Sequence, residues 1–284
     1  MGTSYDPHFL GDRHPVYLPQ LLGDTARGSL AGGQVFDFCH FAIVMSKQTR
    51  FAIFSAACVD KSRAVPVTRD NTSWHFDERI GMENQVGPEY YAENDYDRGH
   101  LTRRKDVCWG DVQEARQANY DSFCYANISL QHHNFNTGIW NCLEDWVLER
   151  VRTKKLIVIT GPIHKAEDEE YCGVRGKPGC AVKVPFGFWK SVFYVNEGQK
   201  LACLSFLIRQ SAERSKDRCE YDRLVTYQIP LDTITKEAQL QFEDSLYEIN
   251  PLVSKLGVTR PAFDQPVPVI KRILQPGDIE LGAK

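Results

Sequence analysis

Asp97-Arg98-Gly99-His100-Leu101 opens the stretch whose reading decides the fold, and Asn136-Thr137-Gly138-Ile139-Trp140-Asn141-Cys142-Leu143-Glu144 closes it. A histidine stands beside an arginine, and an asparagine and a carboxylate follow at helical spacing. Phosphodiester hydrolysis needs an activated water, charge stabilisation and help for the departing oxygen. His100 titrates near working pH and suits the base. Arg98, two residues earlier on an extended strand, shares its face, and Gly99 allows close backbone approach. Asn136 and Glu144 share a helix face but stand ~12 Å apart along the axis, so one ion does not bind both directly. Mg2+ keeps most of its waters, so Asn136 suits a direct ligand and Glu144 a contact through water. The spacing alone equally fits Asn136 as a helix N-cap, Glu144 as a solvated charge and His100 as a surface residue.

Working outward, His40–Met45 and Phe51–Val59 predict an antiparallel pair turned at Ser46-Lys47-Gln48-Thr49. Residues 60–95 are polar and irregular, as functional connections often are. Gln113–Asn119 reads as a short helix, and Ser122–Ala126 as a short strand leading into Asn127-Ile128-Ser129-Leu130-Gln131. From Asn136 an apolar stripe of Ile139, Leu143, Trp146, Val147 and Val151 predicts a helix. Leu156–Thr160 reads as a central strand running into Gly161-Pro162. Val182–Val184 and Phe186–Val195 read as a pair, followed by strands at Leu201–Ile208 and Leu224–Ile229. A last helix, capped by Asp232 or Thr233, runs to about Leu240. About six strands without regular β-α-β alternation predict an α+β fold, a central antiparallel sheet with flanking helices. Residues 1–35 read as an extended arm laid over the core or joined to an upstream partner, 36–250 as the folded domain, and 251–284 as a Pro-interrupted tail.

A net charge of −3 on 284 residues leaves no global footprint of a nucleic-acid binder, so a binding face must be a local basic patch. Arg103-Arg104-Lys105, directly after His100, is a candidate for phosphate-backbone contact, with a solvated charged loop as the alternative. His132-His133 beside Asn134 reads as a loop feature. Nine cysteines form an odd set, and Cys58 and Cys203 in apolar runs read as buried thiols. No C-x2-C spacing suggests structural zinc. Cys172 and Cys180 flank a Gly/Pro-rich turn and pair if oxidised, while the odd count favours a reducing, cytoplasmic setting. The first residues carry no apolar signal run, and Asp6 stands where myristoylation wants Ser or Thr. No apolar stretch approaches the ~20 residues that span a bilayer, so no membrane partner is expected.

Taken in order, Asp97-Arg98-Gly99-His100-Leu101, Tyr125-Ala126-Asn127-Ile128-Ser129-Leu130-Gln131 and Asn136-x3-Trp140-x3-Glu144 resemble the DNA/RNA non-specific endonucleases, the endonuclease G-like branch of the ββα-metal nucleases. Leu156–Ile163, Val184-Pro185-Phe186-Gly187-Phe188-Trp189-Lys190 and His40–Val59 are similar to the strands around that family's metal helix. The resemblance covers roughly residues 35–245.

It implies a Mg2+-dependent endonuclease, with Mn2+ as an alternative ion, that cleaves DNA and RNA internally and leaves 5′-phosphate ends. His100 would be the general base, Asn136 the sole direct metal ligand and Glu144 a holder of metal-bound water. Arg98 would contact phosphate, and Asn127 would complete the hydrogen-bonding network. Arg69 looks like the upstream arginine that helps the leaving group, with Arg63 and Arg79 nearby. Leu130 departs from the family's proline, which frees φ and restores an N–H. A nuclease of this kind endangers its own cell, so an inhibitor or activating partner, a homodimer, or a role in a defence or toxin system is compatible with it. The competing reading is a catalytically degenerate module that binds nucleic acid without cutting.

Overall fold

The computed structural model describes residues 3–69, 74–210, 226–252 and 270–281. The chain begins with β1 (Gln20–Leu21), α1 (Gly23–Arg27), β2 (Val35–Phe38), β3 (Phe41–Met45) and β4 (Ala52–Asp60). After a long irregular connection come β5 (Tyr96–His100), α2 (Arg104–Val107), α3 (Val112–Ser122) and β6 (Ile128–His132). A helical run follows: α4 (His133–Phe135), a π turn over Asn136–Trp140, and α5 (Asn141–Arg150). Five strands come next: β7 (Lys155–Ile163), β8 (Glu170–Val174), β9 (Lys177–Lys183), β10 (Gly187–Val195) and β11 (Leu201–Arg209). The chain closes with β12 (Thr226–Ile229), α6 (Leu231–Ala238), β13 (Leu240–Gln241), α7 (Asp244–Tyr247) and β14 (Lys271–Arg272).

The main sheet has eight strands in the order β14-β12-β11-β10-β7-β4-β3-β2, and every pairing in it is antiparallel. The expected α+β class and central antiparallel sheet are therefore present. The two strands beyond the expected six are the short edges β2 and β14. The β3–β4 hairpin turns where Ser46 predicted it, with the Ser46 hydroxyl accepting from Thr49 N at 3.0 Å. Every residue of β4 is buried, as a strand covered on both faces must be. Pro162 carries no N–H, and β4–β7 pairing ends two residues earlier, at Ser55↔Thr160.

Alternation along the strands sends side chains to two separate cores. On one face Phe41, Ile43, Val158 and Phe206 pack with Trp140, Leu143 and Trp146 from the helical run. On the other, Phe54, Ile157, Ile159 and Phe193 pack with Phe9 and Val16 of the N-terminal segment and with Leu231 and Ile234 of α6. The segment 270–281 docks at the β12 edge, where Gln228 Nε2 donates to Glu280 O at 2.8 Å and Ile273 is fully buried.

Three local expectations are corrected, and the Cys172–Cys180 pairing is present. Ser122–Ala126 is the end of α3 and a turn, not a strand; the strand starts at Ile128. Val182–Val184 does not pair with Phe186–Val195. Instead β9 pairs with β8, and β10 lies between β7 and β11. Helix α6 starts at Leu231 after Pro230 without a side-chain cap, so Asp232 and Thr233 lie inside its first turn. Cys172 and Cys180 are joined as a disulfide across the β8–β9 turn. Of the last predicted strand, 224–225 lie outside the described residues.

Candidate active site

Strands β5 and β6 form a separate two-stranded antiparallel sheet, with Arg98↔Leu130 and His100↔Ile128 in register. Arg98 and His100 point to one face and Asp97 and Gly99 to the other. A Cβ on Gly99 would lie 2.2 Å from Gln131 side-chain atoms, so the glycine makes room for that buried glutamine.

His100 is half-buried, its ring 5.4 Å from Trp74 and 5.7 Å from Phe123 between centroids. Its Nε2 is shut from solvent and has no hydrogen-bond partner. Burial, then the positive charges of Arg69 and Arg104, push its pKa down from 6.5 to about 3, against the hydrogen bond that the ring donates to the Ser122 carbonyl. The imidazole is therefore neutral at neutral pH with a lone pair unused. Asn127, fully buried, donates to Ser122 O at 3.0 Å and Thr102 O at 2.9 Å and accepts from Thr102 N at 3.0 Å. It reaches no open surface; it fixes the backbone carbonyl that faces His100.

Arg98 stacks against Trp74 and Tyr91, 5.2 and 5.8 Å from their centroids, and its buried Nε has no hydrogen-bond partner. Arg69 lies over Phe123 at 6.0 Å and acts on His100. Arg63 instead pairs with Glu114 at 3.6 Å, and Arg79 pairs with Asp77, so of the three arginines Arg69 is the one that acts on His100.

Asn136 is not a helix N-cap. It sits inside the helical run with αR backbone, and its Nδ2 donates to Asp97 Oδ2 at 2.9 Å. With the amide nitrogen on Asp97, Oδ1 is left as the oxygen a hard cation takes. His133 Nδ1 also meets Asp97 Oδ2, at 3.0 Å. The loop reading of His133 is thus replaced by a place at the site edge. Among the described residues no three His, Cys, Asp or Glu side chains group as a metal cluster. The donor set here fits a water-rich hard ion with few protein ligands.

Glu144 is 8% exposed, not solvated. Its carboxylate lies 3.5 Å from Arg103 Nε and 3.4 Å from Lys190 Nζ. Arg103 also donates to Asp145 at 2.6 Å and Asn141 at 3.0 Å. Arg104 donates to Val67 O and Asn119. Of the three cations in this run Lys105 is exposed, while Arg103 and Arg104 are half-buried and engaged in these contacts. Burial pushes Asp106 in the same cluster up to about 6, with Arg103 opposing and Glu144 adding to the shift. Lys190 and His133 were missed because each reaches the site through tertiary contacts that no local spacing encodes.

A profile described as DNA/RNA non-specific endonuclease matches residues 26–248. The chain belongs to that family. An uncharacterized protein of Sinorhizobium fredii, y4fB, is 29% identical over 246 residues, covering 79% of this chain. The match spans only 36% of that protein's length. The nuclease of Serratia marcescens is 24% identical over 199 residues, 68% of each chain. EndoG in its complex with EndoGI shares the fold at a TM-score of 0.59 and 20% identity, over 75% of this chain and 86% of that one. By its description that family is one of nucleases. Among the described residues no helix is long and apolar enough to cross a membrane.

Proposed function

We propose that this chain is a divalent-metal-dependent endonuclease that hydrolyses DNA and RNA with little sequence preference and leaves 5′-phosphate ends. The observation that carries the reading is His100, neutral and with a shielded, partnerless Nε2 on the strand face it shares with Arg98. That nitrogen takes the proton of the attacking water. An incoming phosphate offsets the positive field of Arg69 and Arg104 and raises the basicity of the ring.

Arg98, already stacked between rings, meets the phosphate at little ordering cost, and Arg69 stabilises charge on the departing oxygen. Asn127 positions His100 through the Ser122 carbonyl. Asn136 Oδ1, oriented by Asp97, would hold Mg2+ or Mn2+, with Glu144 one water shell further out. When bound, such an ion supplies Lewis-acid stabilisation of the phosphate oxygens. Contacts to phosphate rather than base edges carry no sequence information. EndoG is known in complex with an inhibitor, and by that likeness a blocking partner that covers this face fits the same regulation.

Supercoiled plasmid and a structured RNA, incubated with the chain and Mg2+, Mn2+, Ca2+ or EDTA, test the reading. Both nucleic acids should be cut with Mg2+ or Mn2+ and spared in EDTA. Intact substrates in every ion would favour a binding module that does not cut. The presence of His100, Arg98, Asn136 and Glu144 together argues against that module.

A further inference from the structure

Lys190 lies in mid-β10, 1% exposed, opposite Thr160 of β7. Its ammonium donates to the Thr160 hydroxyl at 2.9 Å and sits 4.8 Å from the Trp140 ring centroid. A charge taken this far from water loses several kcal/mol of hydration. A methionine of similar length would fill the same space without that loss, so packing alone does not explain the amine. Its third neighbour does: Glu144 Oε1 at 3.4 Å, while Arg103 Nε stands 3.5 Å from the other oxygen. Arg103 is itself pinned by Asn141 and Asp145. Two cations, one from the sheet and one from the segment after β5, thus bracket one carboxylate of α5.

Neither contact consumes the carboxylate's accepting capacity. Glu144 Oε1 has no hydrogen-bond partner, and the same holds for Arg103 Nη1 and Asp106 Oδ1 in this cluster. The bracket fixes the carboxylate between two cations while leaving a lone pair on Oε1 for a water.

We infer that Lys190 is a positioning residue that acts on the reaction through Glu144, holding that carboxylate where it orders water near Asn136. The inference rests on the role proposed for Glu144. The alternative is that Lys190 merely ties β10 to α5.

A double-mutant cycle separates the two. Wild type, Lys190→Met, Glu144→Gln and the double variant are compared for kcat and KM on plasmid, for Mn2+ affinity by EPR, and for melting temperature. Removing an outer-shell partner typically lowers metal affinity or activity ~10–100-fold. Lys190→Met should therefore lower kcat about 10-fold or more and weaken Mn2+ binding, with KM changed less than about 2-fold. In the Glu144→Gln background the same substitution should change either quantity less than about 2-fold. Equal losses in both backgrounds, or a loss confined to KM, would overturn the inference. If Lys190→Met does not fold, Lys190→Gln, which keeps a donor for Thr160, carries the same comparison. Mn2+ binding reads the bracket even if the wild-type chain cuts nothing, an outcome that would count against the nuclease reading instead.

Discussion

Burial of the ring, reinforced by Arg69 and Arg104, moves His100 from 6.5 to about 3 in the folded chain. Between those values the unfolded chain binds a proton that the folded chain refuses, so stability rises with pH across that window. The contribution is fully present above about pH 6.5 and is lost as pH falls toward 3. Urea unfolding at pH 7, 5 and 4 should show a steeper acid loss for wild type than for His100→Gln; parallel curves would contradict the buried neutral ring. Gly99 is the second residue-scale constraint. A methyl there would meet Gln131 at 2.2 Å, and Gln131 is fully buried. Gly99→Ala should cost about 1–3 kcal/mol in urea unfolding, the usual penalty for overpacking; an unchanged midpoint would show that Gln131 moves aside freely.

From Asn136 to Arg150 the helical run was legible from the stripe of Ile139, Leu143, Trp146 and Val147, while its first turn, His133–Phe135, read as loop. Its π turn over Asn136–Trp140 was not legible, because apolar spacing does not distinguish one wide turn from a regular one. That turn sets the phase between Asn136 and Glu144, and such bulges recur at functional sites. Helix α3 was legible too; a capping box fixes its start, while Asn127 holds the Ser122 carbonyl at its other end. Asp111 accepts from Gln113 N and Glu114 N at 2.7 and 2.8 Å, and Glu114 accepts from Asp111 N at 3.0 Å. Asp111→Ala removes this capping box and should lower the melting temperature by about 2–4 °C. Cleavage rates at 25 °C should be unchanged, which a plasmid assay checks.

At the scale of the whole molecule, runs such as Phe51–Val59 and Leu156–Thr160 announced central strands, since continuous apolar sequence is what burial on both faces requires. Partner choice was less legible. Val182 and Phe188 look alike in hydropathy, yet one sits in the cystine-linked β8–β9 hairpin and the other in the main sheet. The motif residues could be named in sequence, but their surroundings are assembled from distant strands. Lys190 comes from β10 and Arg69 from the long connection before β5. With a net charge of −3, the proposed engagement of phosphate would rest on local groups, not a global field. The account's central claim is that His100 is the base on which cleavage depends. Initial rates of plasmid cleavage at saturating Mg2+ should fall about 10²–10⁴-fold in His100→Ala, with the variant folded at the assay temperature and binding of nucleic acid retained. Cleavage by His100→Ala within about twofold of wild type, well below the least that general-base loss implies, would contradict it.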